Sequence, residues 1–352
     1  MSGPGVVARW RRPVGDERGM ALLFALVLVV SLAAAALALE RRILVNYRAV
    51  RAEAEAVRLR QLARSGIELG IALLADDFRR GAVDHLGEAW ARAEEASGVL
   101  ASEGRRCTVE IVDLSGRIQV NALVTSPEAK KRDRPLAGLR ARYDPRQAQL
   151  LFRLLTGSRF QLDHRRARRM VAALIDWIDS DQTVCEFEGQ KGAEAGAYQE
   201  RDRQRRPANR PLAALSELVL VRGFDERLVF GDPQTGRLGL ADLLTVAVAQ
   251  GRARGRININ TAPAAVLEAL SPAIDARLAQ ELVRYRQANP QALADWRWPS
   301  RLRPTLALDQ RLIATSGAVF RIRATARLQQ QWRRISCVLH RPSFQVTDWR
   351  EE

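Results

Sequence analysis

Three aspartates fall within the short segment LIDWIDSDQ, at positions 176, 179 and 181. The apolar spacing of ARRMVAALIDWI just before them predicts a helix that ends here. A helix C-terminus carries partial negative charge and disfavours further anions, so something must offset the repulsion. Asp179 and Asp181, with Glu188 or Glu194 returning from the following loop, would supply the hard oxygen ligands that Ca²⁺ takes. The competing reading is a solvated acidic loop neutralised by Arg165, Arg201 or Arg203.

Other chemistry has little support. His85, His164 and His340 are the only histidines, and no Ser, Cys or carboxylate arrangement around them makes a triad or a zinc set. No glycine-rich phosphate loop is present. Cys107, Cys185 and Cys337 form neither a metal spacing nor a CxxC pair. Pairing of Cys107 with Cys337 is conceivable but unsupported by spacing, and burial as small apolar groups is the expected state. No enzyme is expected.

The chain that must position these residues has 352 residues, 47% of them apolar, enough for a large core and by length for two domains. Its net charge of +16 is almost wholly Arg, with Lys only at 130, 131 and 191. Such a balance suits nucleic acid or anionic headgroups, yet the Arg residues are interspersed with Asp and Glu. The densest basic runs, RRARR at 165–169 and RDRQRR at 201–206, read as solvated faces.

Residues Met20 to Leu39 form an uncharged apolar run of twenty, the length a helix needs to cross a bilayer. Beyond it, ERRILVNYRAVRAEAEAVRLRQLARS keeps apolar residues three or four apart without Gly or Pro. One helix is therefore expected from Met20 to about Ser65. The leader RRPVGDERG ends in Gly19 directly before Met20. That junction resembles the site where a prepilin peptidase cuts after Gly and leaves the apolar helix on the mature protein. An ordinary secretory signal, with A-x-A sites near Ala38, and a plain single-span anchor are the alternatives. Arg on both flanks leaves orientation undetermined by charge.

Strand patterns occur at two distant places. RCTVEIVDLSGRIQVNAL (106–123) alternates around an SG turn, and AVFRIRATARLQQQWRRISCVLHR (318–341) alternates around QQQ, so each predicts a hairpin. Between them the period is helical. One sheet assembled from both ends with a helical domain inserted is an α+β arrangement. The expected parts are a leader at 1–19, a long helix at 20–65, sheet at 66–140, a helical insert at 141–316 and sheet again at 317–352.

The order of leader and long helix, VEIVDLSGRIQVNAL, LIDWIDSDQ with GAEAGAY, NRPLAALSELVLVRGFD and GRININTAPAAVLEAL resembles the K-type minor pseudopilin of type II (general) secretion systems across almost the whole chain. The resemblance implies a pilin-like fold and a non-enzymatic assembly role at the tip of a short pseudopilus that supports export of folded proteins. It also implies cleavage after Gly19 with methylation of the new Met20 terminus, an inner-membrane helix and a periplasmic body. Reported calcium binding in the family agrees with the charge reading, although Ala195 and Gly196 stand where relatives often carry acids. The implied partners are the I-type and J-type minor pseudopilins, packed along Ile43, Val50 and Val57, together with the major pseudopilin, the prepilin peptidase and the inner membrane. Most pilins carry Glu at the fifth mature position, but Phe24 stands there. A carboxylate buried in hydrocarbon without a partner is costly, so a subunit with none above it has reason to lack it.

RININTAPAAVLEALSPAIDARLAQELVRYR is similar to the helix-hairpin-helix module, which supports a second reading as a membrane-tethered DNA-binding component of a competence or type IV pilus. That module needs a glycine hairpin offering backbone N–H groups to phosphate. Here the hairpin is SPAID, and Pro272 has no N–H. A structural helix pair is expected, with Asn258 and Asn260 capping or turning the chain, and no nucleic-acid ligand.

Overall fold

The computed structural model describes residues 17–102, 104–124, 143–199, 206–232, 234–341 and 343–352. Leader residues 1–16 and basic residues 201–205 lie outside those stretches. The chain divides into two units, residues 1–58 and 59–352.

Within the described residues the helices are α1 (Glu17–Arg80), α2 (Ala93–Ala96), α3 (Pro145–Thr156), α4 (His164–Ile178), α5 (Ala195–Gln199), α6 (Glu226–Phe230), α7 (Ala264–Leu270), α8 (Ala276–Ala288) and α9 (Trp298–Leu302). The strands are β1 (Arg106–Asp113), β2 (Ile118–Gln119), β3 (Glu186–Phe187), β4 (Gln190–Lys191), β5 (Leu244–Thr245), β6 (Ile257–Asn258), β7 (Ile313–Ala314), β8 (Val319–Leu328), β9 (Gln331–His340) and β10 (Gln345–Glu351).

In the first unit the helix is exposed throughout the apolar run, and its side chains from Met20 to Leu39 meet no protein core. Twenty helical residues rise about 30 Å, one hydrocarbon thickness. In the second unit α1 continues to Arg80, past the expected end at Ser65. Gly66 and Gly70 are the reason. A Cβ on Gly66 would lie 2.7 Å from Ala324 Cβ and 2.8 Å from Cys107 Sγ, and one on Gly70 would lie 2.6 Å from Ile322 Cγ2. These glycines let the helix sit close on strands rather than end it.

Leu59, Ala63, Ile67 and Leu74 of α1 pack on the alternate inward residues of the sheet, including Val109, Ile111, Ile322, Ala324, Ile335 and Cys337. The sheet is antiparallel in the order β1-β8-β9-β10. The expected β8–β9 hairpin is present, with Leu328 opposite Gln331 and a two-residue turn in which Gln329 adopts φ 53°. The expected hairpin at 106–123 is not. β1 pairs with β8 instead, Asp113 opposite Phe320. The Asp113 side chain accepts from Ser115 N–H at 2.8 Å, bending the chain into a short turn. β2 then leaves the sheet and pairs in parallel with β5. The helical insert therefore starts near Leu114 rather than 141, since Ile118, Val120 and Leu123 already lie in its core.

That core gathers α3, α4, α7 and α8 around buried residues such as Leu150, Leu154, Leu174 and Trp298. Aspartates open the main helices: Asp144 accepts from Arg146 N–H ahead of Pro145, Asp163 from Arg166 N–H and Asp275 from Leu278 N–H. The pair α7 and α8 is the expected structural one. Asn258 and Asn260 do more than turn the chain. Asn258 reaches Asp113 at 2.8 Å and the Asp84 carbonyl at 3.2 Å, while Asn260 bonds Leu293 O and accepts from Trp298 Nε1. Cys107, Cys185 and Cys337 are all buried, and none forms a disulfide among the described residues.

Candidate functional site

α4 delivers the acidic cluster. Its apolar face, with Met170, Val171, Leu174, Ile175 and Ile178, is buried, which draws the residues at its C-terminal end inward too. Asp179 caps that end, its N–H donating to Ile175 O at 2.9 Å. The chain returns because Cys185 N–H donates to Asp176 Oδ1 at 2.7 Å. It then passes so near α4 that a Cβ on Gly192 would lie 2.7 Å from Ala172 O. Two residues later comes Glu194. One carboxylate oxygen from each of Asp179, Asp181 and Glu194 lies within 4.8 Å of the others.

Asp179 is 3% exposed, and neither of its carboxylate oxygens receives a well-formed hydrogen bond. The Asp181 N–H relieves it only slightly against burial and the carboxylates of Asp181, Asp176 and Glu194, which push its pKa to about 7. Burial raises Asp176 to about 7 as well. A buried anion lacking a partner is costly, and an oxygen-binding dication would remove that cost. The donor set, hard oxygens from three carboxylates, is of the kind that Ca²⁺ takes.

Glu188 does not join this cluster, contrary to expectation. It sits in the tight turn between β3 and β4 at φ 46°, and Arg168 Nε holds its carboxylate at 2.8 Å. Arg165 bonds Gln190 rather than the acids, and Arg166 faces Asp225 at 3.7 Å. The 165–169 run is thus a solvated, partly paired face. Arg201 and Arg203 lie outside the described residues.

Gly19 and Met20 fall in the first turns of α1, and Met20 is exposed. Phe24 is exposed on the apolar stretch. Ile43, Val50 and Val57 stand out from the helix at 58%, 70% and 39% exposure. They make an apolar stripe beyond the length a bilayer needs.

Sequence reasoning missed one cluster. Arg341, 2% exposed, donates two hydrogen bonds to the fully buried Asp84 and a third to Asp77 at 2.9 Å. Its guanidinium also lies between the Phe78 and Phe320 rings. Asp84 in turn accepts from Gly317 N–H at 2.6 Å. Residues 257 positions apart meet here, and no local pattern announces them.

The chain matches two family models described as type II secretion system protein K, over residues 116–230 and 257–311. It is 30% identical over 217 residues to the type II secretion system protein K of Pseudomonas aeruginosa, a stretch covering 58% of this chain and 57% of that protein. With the protein K of Klebsiella pneumoniae it shares 27% over 354 residues, covering 92% and 96%. A chain of the crystal structure of the GspK-GspI-GspJ complex from enterotoxigenic Escherichia coli superposes with a TM-score of 0.57 at 22% identity, covering 86% of this chain and 99% of that one.

A long apolar N-terminal helix, an antiparallel sheet packed on its later turns and a helical insert within that sheet define a pseudopilin. This chain belongs to the protein K family of type II secretion systems.

Proposed function

We propose that this chain is the tip subunit of a type II secretion pseudopilus, a structural component that primes or caps assembly and so supports export of folded proteins. In this reading the prepilin peptidase cuts after Gly19, the helix from Met20 stays in the inner membrane as a single span, and the body stands in the periplasm. I-type and J-type minor pseudopilins bind first and the major pseudopilin follows below them. Phe24 at the fifth mature position suits a subunit with no neighbour above.

The observation that carries the proposal is the exposed stripe Ile43, Val50 and Val57. Apolar side chains repeating seven apart on an uncovered helix face suit packing against a parallel helix. The complex named for the Escherichia coli neighbour gives the choice of partners its support. Calcium, in the same reading, is held by Asp179, Asp181 and Glu194 and neutralises charge where the insert folds back on α4.

Coexpression of the full chain with the I-type and J-type subunits of the same genome tests it. The account expects copurification in fixed proportion and a mature chain whose mass begins at Met20. A chain that begins after Ala38 and purifies alone overturns it.

A further inference from the structure

The face of the sheet turned away from α1 looks into a cleft of about 730 Å³. Its other wall is the helical insert, contributed by the segments around Leu212 and Val246. Alternation along the strands sends Arg321 and Arg323 of β8 and Arg334 of β9 to this side, opposite the buried residues Ile322, Ala324 and Ile335. Arg117, from the turn after β1, enters from the insert side.

These arginines differ in how they are satisfied. Arg323 pairs with Glu110 at 2.8 Å and Arg334 with Glu352 at 3.2 Å. Arg117 donates to Ala241 O at 3.1 Å and meets no carboxylate within ion-pair distance among the described residues. Arg321 has neither a hydrogen bond nor an ion pair among them. Burial lowers the pKa of both, and the proximity of Arg117 adds to the lowering at Arg321, which stands at about 10. Glu110 and Asp242 offset these two charges only from beyond ion-pair distance, and the carboxylates that line the cleft, Asp348 and Glu352, are taken by Arg350 and Arg334, so two half-buried guanidiniums face the cleft with no carboxylate of the described residues in contact. Neither contributes to the core, the acidic cluster or the helix stripe.

The remaining lining limits the occupant. Leu114 and Leu212 are buried at the base, while Phe230 is 48% exposed at the rim. A free phosphate would leave these apolar groups unused. A volume of about 730 Å³ is in the range of sites that enclose a small group or a few side chains rather than a nucleic-acid duplex. Guanidinium forks match carboxylates bidentately, and apolar groups beside them match aliphatic side chains.

We propose that this cleft is a docking site for an extended segment of a partner protein that alternates acidic and aliphatic residues, with Arg117 and Arg321 receiving its carboxylates. None of its lining residues belongs to the α1 stripe, so it provides for a partner other than those packed along the helix.

The test uses the purified full chain in detergent and a fluorescent peptide alternating Glu and Leu, read by anisotropy. Binding is expected, with affinity falling as salt rises. Arg321→Gln and Arg117→Gln should each weaken it roughly tenfold, which is about 1.4 kcal/mol. Arg311→Gln, on an exposed loop outside the cleft, should leave it unchanged. Ala213→Glu, at an exposed position on the cleft wall, should also weaken binding without removing an arginine, which guards against loss through misfolding. Equal binding of a Gln and Leu peptide, or no binding of either, overturns the proposal. Displacement by inorganic phosphate or by phosphatidylglycerol vesicles at concentrations that match the peptide also overturns it, since the cleft would then be a phosphate site.

Discussion

Replacing Arg341 by Met should be among the most damaging single changes in the body. The Met side chain fills much of the same volume but leaves Asp84, 0% exposed, without its two guanidinium bonds. The Gly317 backbone N–H at 2.6 Å would remain as a donor to its carboxylate. An intact buried ion pair stabilises little, because desolvation offsets its Coulomb energy, but stripping one partner from it costs roughly 3–5 kcal/mol. Loss of the contacts with Phe78 at 5.4 Å and Phe320 at 5.1 Å adds about 0.5–2 kcal/mol. Against a total stability of about 5–15 kcal/mol, the variant should be close to unfolding. Urea unfolding of the full chain in detergent, followed by tryptophan fluorescence, measures the loss; Trp90, stacked edge-on against Phe320 at 5.3 Å, reports locally. The cause is isolated by adding Asp84→Asn, which removes the stranded charge. The double variant should be more stable than Arg341→Met alone. A loss under about 1 kcal/mol, or a double variant weaker by the sum of both single losses, refutes the reasoning.

Three further outcomes follow from the geometry. Gly66→Val should destabilise by about 1–3 kcal/mol through crowding of Ala324 and Cys107, outweighing a gain of roughly 0.4 kcal/mol in helix propensity; Gly81→Ala, with open space around it, should be nearly neutral in the same unfolding assay. Asp179→Asn should stabilise the metal-free chain, because it removes a buried charge, yet abolish the rise in melting temperature that the proposed calcium site predicts for the parent; a hundredfold excess over Kd is worth about 2.7 kcal/mol there. Burial lifts Asp113 from 3.8 to about 6 against the bonds from Thr261, Asn258 and Ser115. The folded state thus keeps a proton that the unfolded state releases, so its share of stability falls as pH rises from about 4 to about 6 and is level above. Asp113→Asn should flatten that decline in a pH series of unfolding curves, and an unaltered slope would exclude Asp113 as its source.

Much of the fold was legible because its signals are local. The alternation of VFRIRATARL and QWRRISCVLH announces two strands joined by a short turn, and they pair as read. The same logic failed at Arg106–Leu123, where β1 found its partner in β8, over two hundred residues on. Nothing in the SG turn reveals that Asp113 bends the chain away toward Asn258 and Thr261. The helix is expected to end near Ser65, where the stretch without Gly or Pro stops, because glycine is a poor helix former in isolation; Gly66 and Gly70 instead lie inside it. Their role depends on strands that arrive from the far end of the chain. In the acidic cluster, Asp179, Asp181 and Glu194 were readable from composition and spacing. Glu188 was misplaced because a tight turn, fixed by two short strands, points it at Arg168 instead. The Asp84–Arg341 pair had no sequence signature at all.

The claim on which the functional account rests is that the α1 stripe is covered by sister subunits. Site-specific photo-crosslinking from Val50, 70% exposed on the isolated chain, measures this most directly in cells that coexpress the I-type and J-type subunits. The account predicts a crosslink to one of those two pseudopilins, lost when the partner is deleted. A processed, membrane-bound chain that yields no pseudopilin adduct from Val50 would contradict it.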